Sequence, residues 1–189
     1  ALRGEFPPCP HLFNVILRAR IMTNHTNGIR TVMEEFSQHG LKPNRFTYSL
    51  LINYYRLQKR MDCAELLLER MLDKQLPVDS SHFTTMVIGW ARQGNLSRAQ
   101  HWFDRLRRTD PTLEDPANSA ASPKSGFGEY VDQVAVHALA HGYLQHQQPA
   151  SARNLLQQAK AAGMTPTRVT AKLEMHLRLL EGFPAEAMD

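Results

Sequence analysis

The feature that most narrows the folds open to this chain is a break that recurs. "GLKPN" at residues 40–44 ends an apolar segment with Gly40, Pro43 and Asn44, and "GMTPT" places Gly163, Pro166 and Thr167 in the same relative positions. Between them "KQLPVDSSHF" breaks at Leu76, Pro77 and Asp79, and Asp79 follows Asn44 by 35 residues (79 − 44). A Gly followed shortly by a Pro ends a helix, because Gly tolerates the left-handed turn and Pro cannot extend what precedes it. One such break is ordinary. Breaks at a spacing near 35 are the mark of a repeat array, in which each unit is one small supersecondary element.

With Arg45 as position 1 and Asp79 as position 35, the chain divides into 1–9, the closing loop of a preceding unit as "EFPPC" suggests; 10–44; 45–79; 80–132, which carries an insertion; 133–167; and a truncated unit 168–189. Position 20 holds Ile29, Ala64, Ala99, Ala152 and Ala187. From it runs an i, i+3, i+4, i+7 stripe: Ile29, Val32, Met33, Phe36; Ala64, Leu67, Leu68, Met71; Ala99, Trp102, Phe103, Leu106; Ala152, Leu155, Leu156, Ala159. That spacing puts the apolar side chains on one helical face, with a small residue where a neighbour must come close. "SRAQ" at 97–100 and "DCAE" at 62–65 follow capping-box spacing, and Pro149 and Pro184 stand at position 17 near the same helix start. A second helix in the first half of each unit is read from "FTYSLLINYYRL" and "SHFTTMVIGWARQ". The expected fold is therefore all-α: an α-solenoid of about five stacked helical hairpins, whose first helices line one concave wall.

The third unit is 53 residues long (80–132), and its excess at about 109–128, "TDPTLEDPANSAASPKSGFG", is rich in Pro, Ser, Ala, Asp and Gly. It is expected to be an inert, flexible surface excursion. The chain of 189 residues is 42% hydrophobic, enough for a packed core, and carries a formal charge of +4. Sixteen of its 22 basic residues are Arg, a mild bias that suits a polyanionic partner. Two cysteines, Cys9 and Cys63, support neither a disulfide scaffold nor a thiolate metal site. No apolar run approaches the roughly 20 residues that span a bilayer, so a soluble chain is expected. The sequence opens without Met, and any targeting peptide is expected upstream.

Two hairpin families have units of this size. A tetratricopeptide repeat expects Gly at position 8, where this chain has Leu17, Ile52, Val87 and Ala140. The sequence instead resembles the pentatricopeptide repeat family, in "HLFNVIL" from His11, "FTYSLLI" from Phe46 and "HFTTMVI" from His82, in Met71 and Leu106, and in the closing "GLKPN" and "GMTPT". The fourth unit departs at its opening, "QVAVHALAHGYL", and there the resemblance rests on Ala152, Gly163 and Pro166.

The resemblance implies single-stranded RNA binding with one base per unit, read by position 5 together with the last residue of the unit. The pairs are Asn14 with Asn44, Ser49 with Asp79, Thr84 with Asp132, and His137 with Thr167. It further implies a pyrimidine for the first pair, guanine for the second and third, and no reading for the fourth: 5′-pyrimidine-G-G-3′. Position 2 would supply a wedge between bases, with His11, Phe46 and Val134 as the stacking candidates and Ser81 unable to stack. Arg20, Arg56 and Arg92, near the ends of first helices, are candidates for phosphate contacts. Asn, Ser and Thr at helix starts are also what capping alone selects.

The implied setting is an organelle, the mitochondrion ahead of the plastid, with RNA or rRNA and mitochondrial ribosomal proteins as partners. The alternatives are a scaffold piece of a mitochondrial ribosome or its assembly machinery, and the RNA-targeting arm of a larger enzyme. No enzyme, cofactor, metal, membrane or small-molecule substrate is expected. His137 and His141 stand four apart without a third ligand, "VHALAH" lacks the glutamate of a zinc protease motif, and Gly-rich phosphate loops are absent. Met33, Met71 and Met86 fall on apolar stripes and are expected in the core.

Overall fold

Why the chain stops and restarts is answered by the backbone at each helix end. Gly40 has φ +64°; its N–H donates to the Ser37 carbonyl and the N–H of Leu41 donates to the Phe36 carbonyl, both at 3.0 Å. The same pair of backward bonds, three and five residues long, recurs at Lys59, Gln75, Gly94, Gln147 and Gly163, all with positive φ. These are Schellman turns: one left-handed residue reverses the chain and recovers two carbonyls that the helix end would leave unpaired.

The computed structural model describes residues 9–23, 26–108 and 127–180. The described residues form nine α-helices and no strand: α1 (Pro10–Met22), α2 (Thr26–Gln38), α3 (Arg45–Leu57), α4 (Met61–Asp73), α5 (Ser80–Gln93), α6 (Leu96–Arg108), α7 (Phe127–Gln145), α8 (Pro149–Ala161) and α9 (Arg168–Leu180). No helix among them is long and apolar enough to cross a membrane. The chain divides after Val78 into one unit holding α1–α4 and another holding α5–α9. In each, a helix pairs with the next and first helices touch one another, α1 with α3 in one unit and α5 with α7 and α7 with α9 in the other. Each unit is thus a short stack of hairpins, the α-solenoid architecture, with a wall of first helices.

The stripes read from the sequence are the core. In the first unit Phe13, Leu17, Ile21, Ile29, Val32, Phe36, Leu51 and Tyr54 form one cluster, with the Phe13 and Phe36 rings 5.0 Å apart. Position 8, where a Gly would have signalled the other family, is buried four times over, as Leu17, Ile52, Val87 and Ala140. In the second unit Trp102 is fully buried beside Phe83, along with Met86, Leu139, Ala99 and Ala152. Gly142 lets α7 close on its neighbours, since a Cβ there would stand 3.0 Å from Leu96 and 3.3 Å from Ala91. Met71 and Met86 are buried and Met33 is half-buried.

Three expectations change. The capping boxes at Asp62–Glu65 and Ser97–Gln100 do not start second helices. α4 begins after Arg60, which gives no side-chain cap, so Asp62 already lies in its first turn; α6 is capped by Asn95, whose Oδ1 accepts from the Arg98 N–H, so Ser97 lies inside. The Schellman turn fixes where the next helix begins, leaving one residue between the left-handed position and the first helical one. The third change concerns α7, which starts at Phe127, so Asp132 sits within a helix and not just ahead of one. Residues 109–126 of the insertion, Pro184 and Ala187 lie outside the described residues.

Leu68 and Leu66 separate core from surface on one helix, the first fully buried and the second 48% exposed. Leu68→Ala is expected to lower unfolding free energy by about 2–5 kcal/mol and Leu66→Ala by no more than about 0.5 kcal/mol, read as urea midpoints by circular dichroism.

Candidate nucleic-acid interface

At the starts of α3 and α9 the predicted side chains meet. Asn44 caps α3: its Oδ1 accepts from the Thr47 N–H at 3.1 Å, and its own N–H donates back to Thr47 Oγ1 at 3.2 Å, a reciprocal capping box. Asn14 reaches the same point from α1. Its Nδ2 donates to Asn44 Oδ1 at 3.2 Å, and its Oδ1 accepts from the Thr47 hydroxyl at 2.8 Å. The first predicted pair is therefore a bonded pair, closed by a third side chain that is fully buried. Asn14 itself is only 9% exposed, so Asn44 is the member that faces solvent.

Asp79 caps α5 through a second box. Its Oδ1 accepts from the N–H groups of Ser81 and His82 and lies 2.7 Å from His82 Nδ1, which stands 3.3 Å from the Asp79 backbone nitrogen. Chiefly the His82 hydrogen bond, opposed by burial and aided by Ser81, holds the Asp79 carboxyl well below the usual carboxylate range. No bond to Asp79 Oδ2 is made among the described residues, which leaves that oxygen as an acceptor. Thr84, one turn into α5, donates its hydroxyl to the Ser80 carbonyl at 3.0 Å and is 7% exposed. Ser49 bonds back to Arg45 at 2.8 Å in the same way on α3. The side chain of Asp132 lies outside the described residues, so the third pair has no geometry.

The fourth pair repeats the arrangement of the first. His137 Nε2 lies 2.8 Å from Thr170 Oγ1, which is 3.0 Å from Thr167 Oγ1. The Thr170 N–H donates to Thr167 Oγ1 and the Thr167 N–H to Thr170 Oγ1, each at 3.2 Å. Burial pushes the His137 pKa down, favouring a neutral ring.

On α3, Phe46, Ser49 and Asn53 follow at i, i+3 and i+7 and so share a face. Phe46 is 59% exposed with the Arg45 guanidinium 5.0 Å from its ring centre, a platform open to stacking. Arg56 continues this line, its guanidinium donating to Asn53 Oδ1 at 2.8 and 3.2 Å. His11 is exposed and Val134 half-buried. Arg92 is exposed at the end of α5. Arg20 is exposed in the last turn of α1, its stem resting on Gly28 of α2, with Cδ 2.9 Å from where a Cβ would stand. Sequence reasoning did not single out Thr47, Thr170 or Asn53. The first two were signalled by "NRFT" and "TRVT", a capping residue followed at three by a hydroxyl.

A pentatricopeptide repeat domain model matches residues 11–56, and a pentatricopeptide repeat model matches 46–76 and 81–109. The chain belongs to the pentatricopeptide repeat family. A curated relative, a chloroplastic pentatricopeptide repeat-containing protein of Arabidopsis thaliana, is 26% identical over 84 residues, which is 44% of this chain and 9% of that protein. Among solved structures, the maize pentatricopeptide repeat protein PPR10 is similar with a TM-score of 0.73 and 20% identity over 98% of this chain. PPR10 in complex with an 18-nt psaJ RNA element matches at a TM-score of 0.68 and 16% identity over 96%. These likenesses show the solenoid fold. The chain spans 24% of each PPR10 chain's length.

The depressed Asp79 pKa has a sign. Its contribution to stability is complete above the ordinary value of 3.8 and is lost as pH falls below it toward the folded-state value. Asn also caps helices well, as Asn44 does on α3. Asp79→Asn keeps a capping oxygen but lacks the charge that His82 favours, so it is expected to lower the midpoint at pH 7 and to flatten its fall between about pH 4 and pH 2, measured as urea midpoint against pH.

Proposed function

We propose that this pentatricopeptide repeat chain is a single-stranded RNA binder of an organelle, acting in RNA processing, stability or translation. The observation that carries this reading is the polarity of the Asn14–Asn44 pair. Asn44 Oδ1 is taken by the Thr47 N–H and by Asn14, and Asn14 Oδ1 by the Thr47 hydroxyl. What remains is the Nδ2 group of half-buried Asn44, which has no partner among the described residues and can only donate. A pyrimidine suits such an edge, because cytosine offers N3 and O2 and uracil O2 and O4 as acceptors, whereas guanine offers one acceptor beside two donors.

Asp79 Oδ2 has the opposite polarity, an acceptor suited to the N1–H and N2–H of guanine. Phe46, exposed and backed by Arg45, supplies a stacking surface worth roughly 1–3 kcal/mol per base. The RNA-bound state of PPR10 supports the same class of ligand. The chloroplastic name of the Arabidopsis relative supports a plastid, and the mitochondrion expected from the sequence has no comparable support.

Fluorescence anisotropy with a short RNA carrying UGG or CGG, against a scrambled one, at two salt concentrations tests the reading. The matched RNA is expected to bind more tightly, with affinity falling by about 0.7 log units per log unit of salt for each phosphate contacted. Asp79→Asn is expected to weaken the preference for G at one base. Equal and negligible binding to both RNAs would instead indicate a scaffold that holds protein.

A further inference from the structure

The geometry points to Thr47 and Thr170 as positioning residues of the interface: each hydroxyl ties a side chain of the preceding first helix to the capping residue, and so decides which polar atoms face an RNA base. This rests on the RNA-binding reading above. Two sites, one in each unit, carry it independently. At the first, Thr47 Oγ1 sends its proton to Asn14 Oδ1 at 2.8 Å and accepts from the Asn44 N–H at 3.2 Å. At the second, Thr170 Oγ1 stands 2.8 Å from His137 Nε2 and accepts from the Thr167 N–H at 3.2 Å. Both threonines are almost wholly covered, at 0% and 1% exposure, so neither can touch a base itself.

The chemistry follows from the inventory of atoms. An amide can present oxygen or nitrogen, and only its partners decide which. With Thr47 in place the Asn14 oxygen is engaged inward, one proton of its Nδ2 goes to Asn44 Oδ1, and the pair keeps a donor edge. Without the hydroxyl, Asn14 Oδ1 is left covered and without its donor, and the amide is free to turn. Phosphate contacts do not pass through this tie, so overall affinity and base preference separate.

The test uses the whole chain and short fluorescein-labelled RNAs that differ only at the pyrimidine of the matched site, UGG and CGG against AGG. Thr47→Val keeps the shape and loses the hydroxyl; the ratio of affinities for pyrimidine over adenine is expected to fall at least about fivefold, toward unity, with the salt slope unchanged. Thr47→Ser restores the hydroxyl and loses a methyl group, and is expected to keep the ratio even if it melts at lower temperature. A purely packing role predicts the reverse order, Val tolerated and Ser harmed. A folded Thr47→Val variant with the wild-type ratio, or a folded Thr47→Ser variant that loses it, overturns the inference. Failure of the wild-type chain to discriminate the RNAs overturns the RNA-binding reading beneath it, and is visible before any variant is made.

Discussion

Everything in this molecule depends on closing helix ends without orphaned backbone groups. Most of these helices, at about thirteen residues, are too short to be stable alone in water and persist only while an apolar face is covered. Covering that face requires the chain to reverse within a few residues, and reversal exposes carbonyls. The left-handed residue at Gly40, Lys59, Gln75, Gly94, Gln147 and Gly163 solves both problems at once. Three of these are not glycine, so packing around the turn holds a conformation that costs an L-residue roughly 1 kcal/mol.

The other end of the hairpin has its own solution, and the proposed interface is built on it. The first helices α3 and α5 start at a polar residue that turns its oxygen inward to satisfy N–H groups, Asn44 on one and Asp79 on the other. Once that oxygen is committed, the remaining polar atoms of the same side chain have a fixed direction and chemistry. Asn44 is left with donors and Asp79 with an acceptor. The two readings of such a residue, as a cap and as a candidate for base contact, are therefore compatible.

Much of this was legible beforehand because the pattern that buries a helix is periodic. The stripes from Ile29, Ala64, Ala99 and Ala152 all lie against the core, since a 3.6-residue repeat admits one buried face. The caps of the second helices were misplaced, because Asp62 and Ser97 match a motif that the preceding turn overrides. Asp132 was set ahead of α7 by counting from the repeat, but α7 begins at Phe127, inside the insertion that the count could not place. Thr47 escaped notice because a threonine inside "FTYSLLI" reads as a family letter, and its bond to Asn14 spans 33 residues.

The sequence by itself determined the hairpin period, the buried faces and the family, because these follow from short-range spacing that each unit repeats. Only the tertiary structure decided which atoms of Asn14, Asn44 and His137 are spent and which remain. That outcome depends on side chains from different helices competing for the same few lone pairs and protons, and no local pattern records the winner.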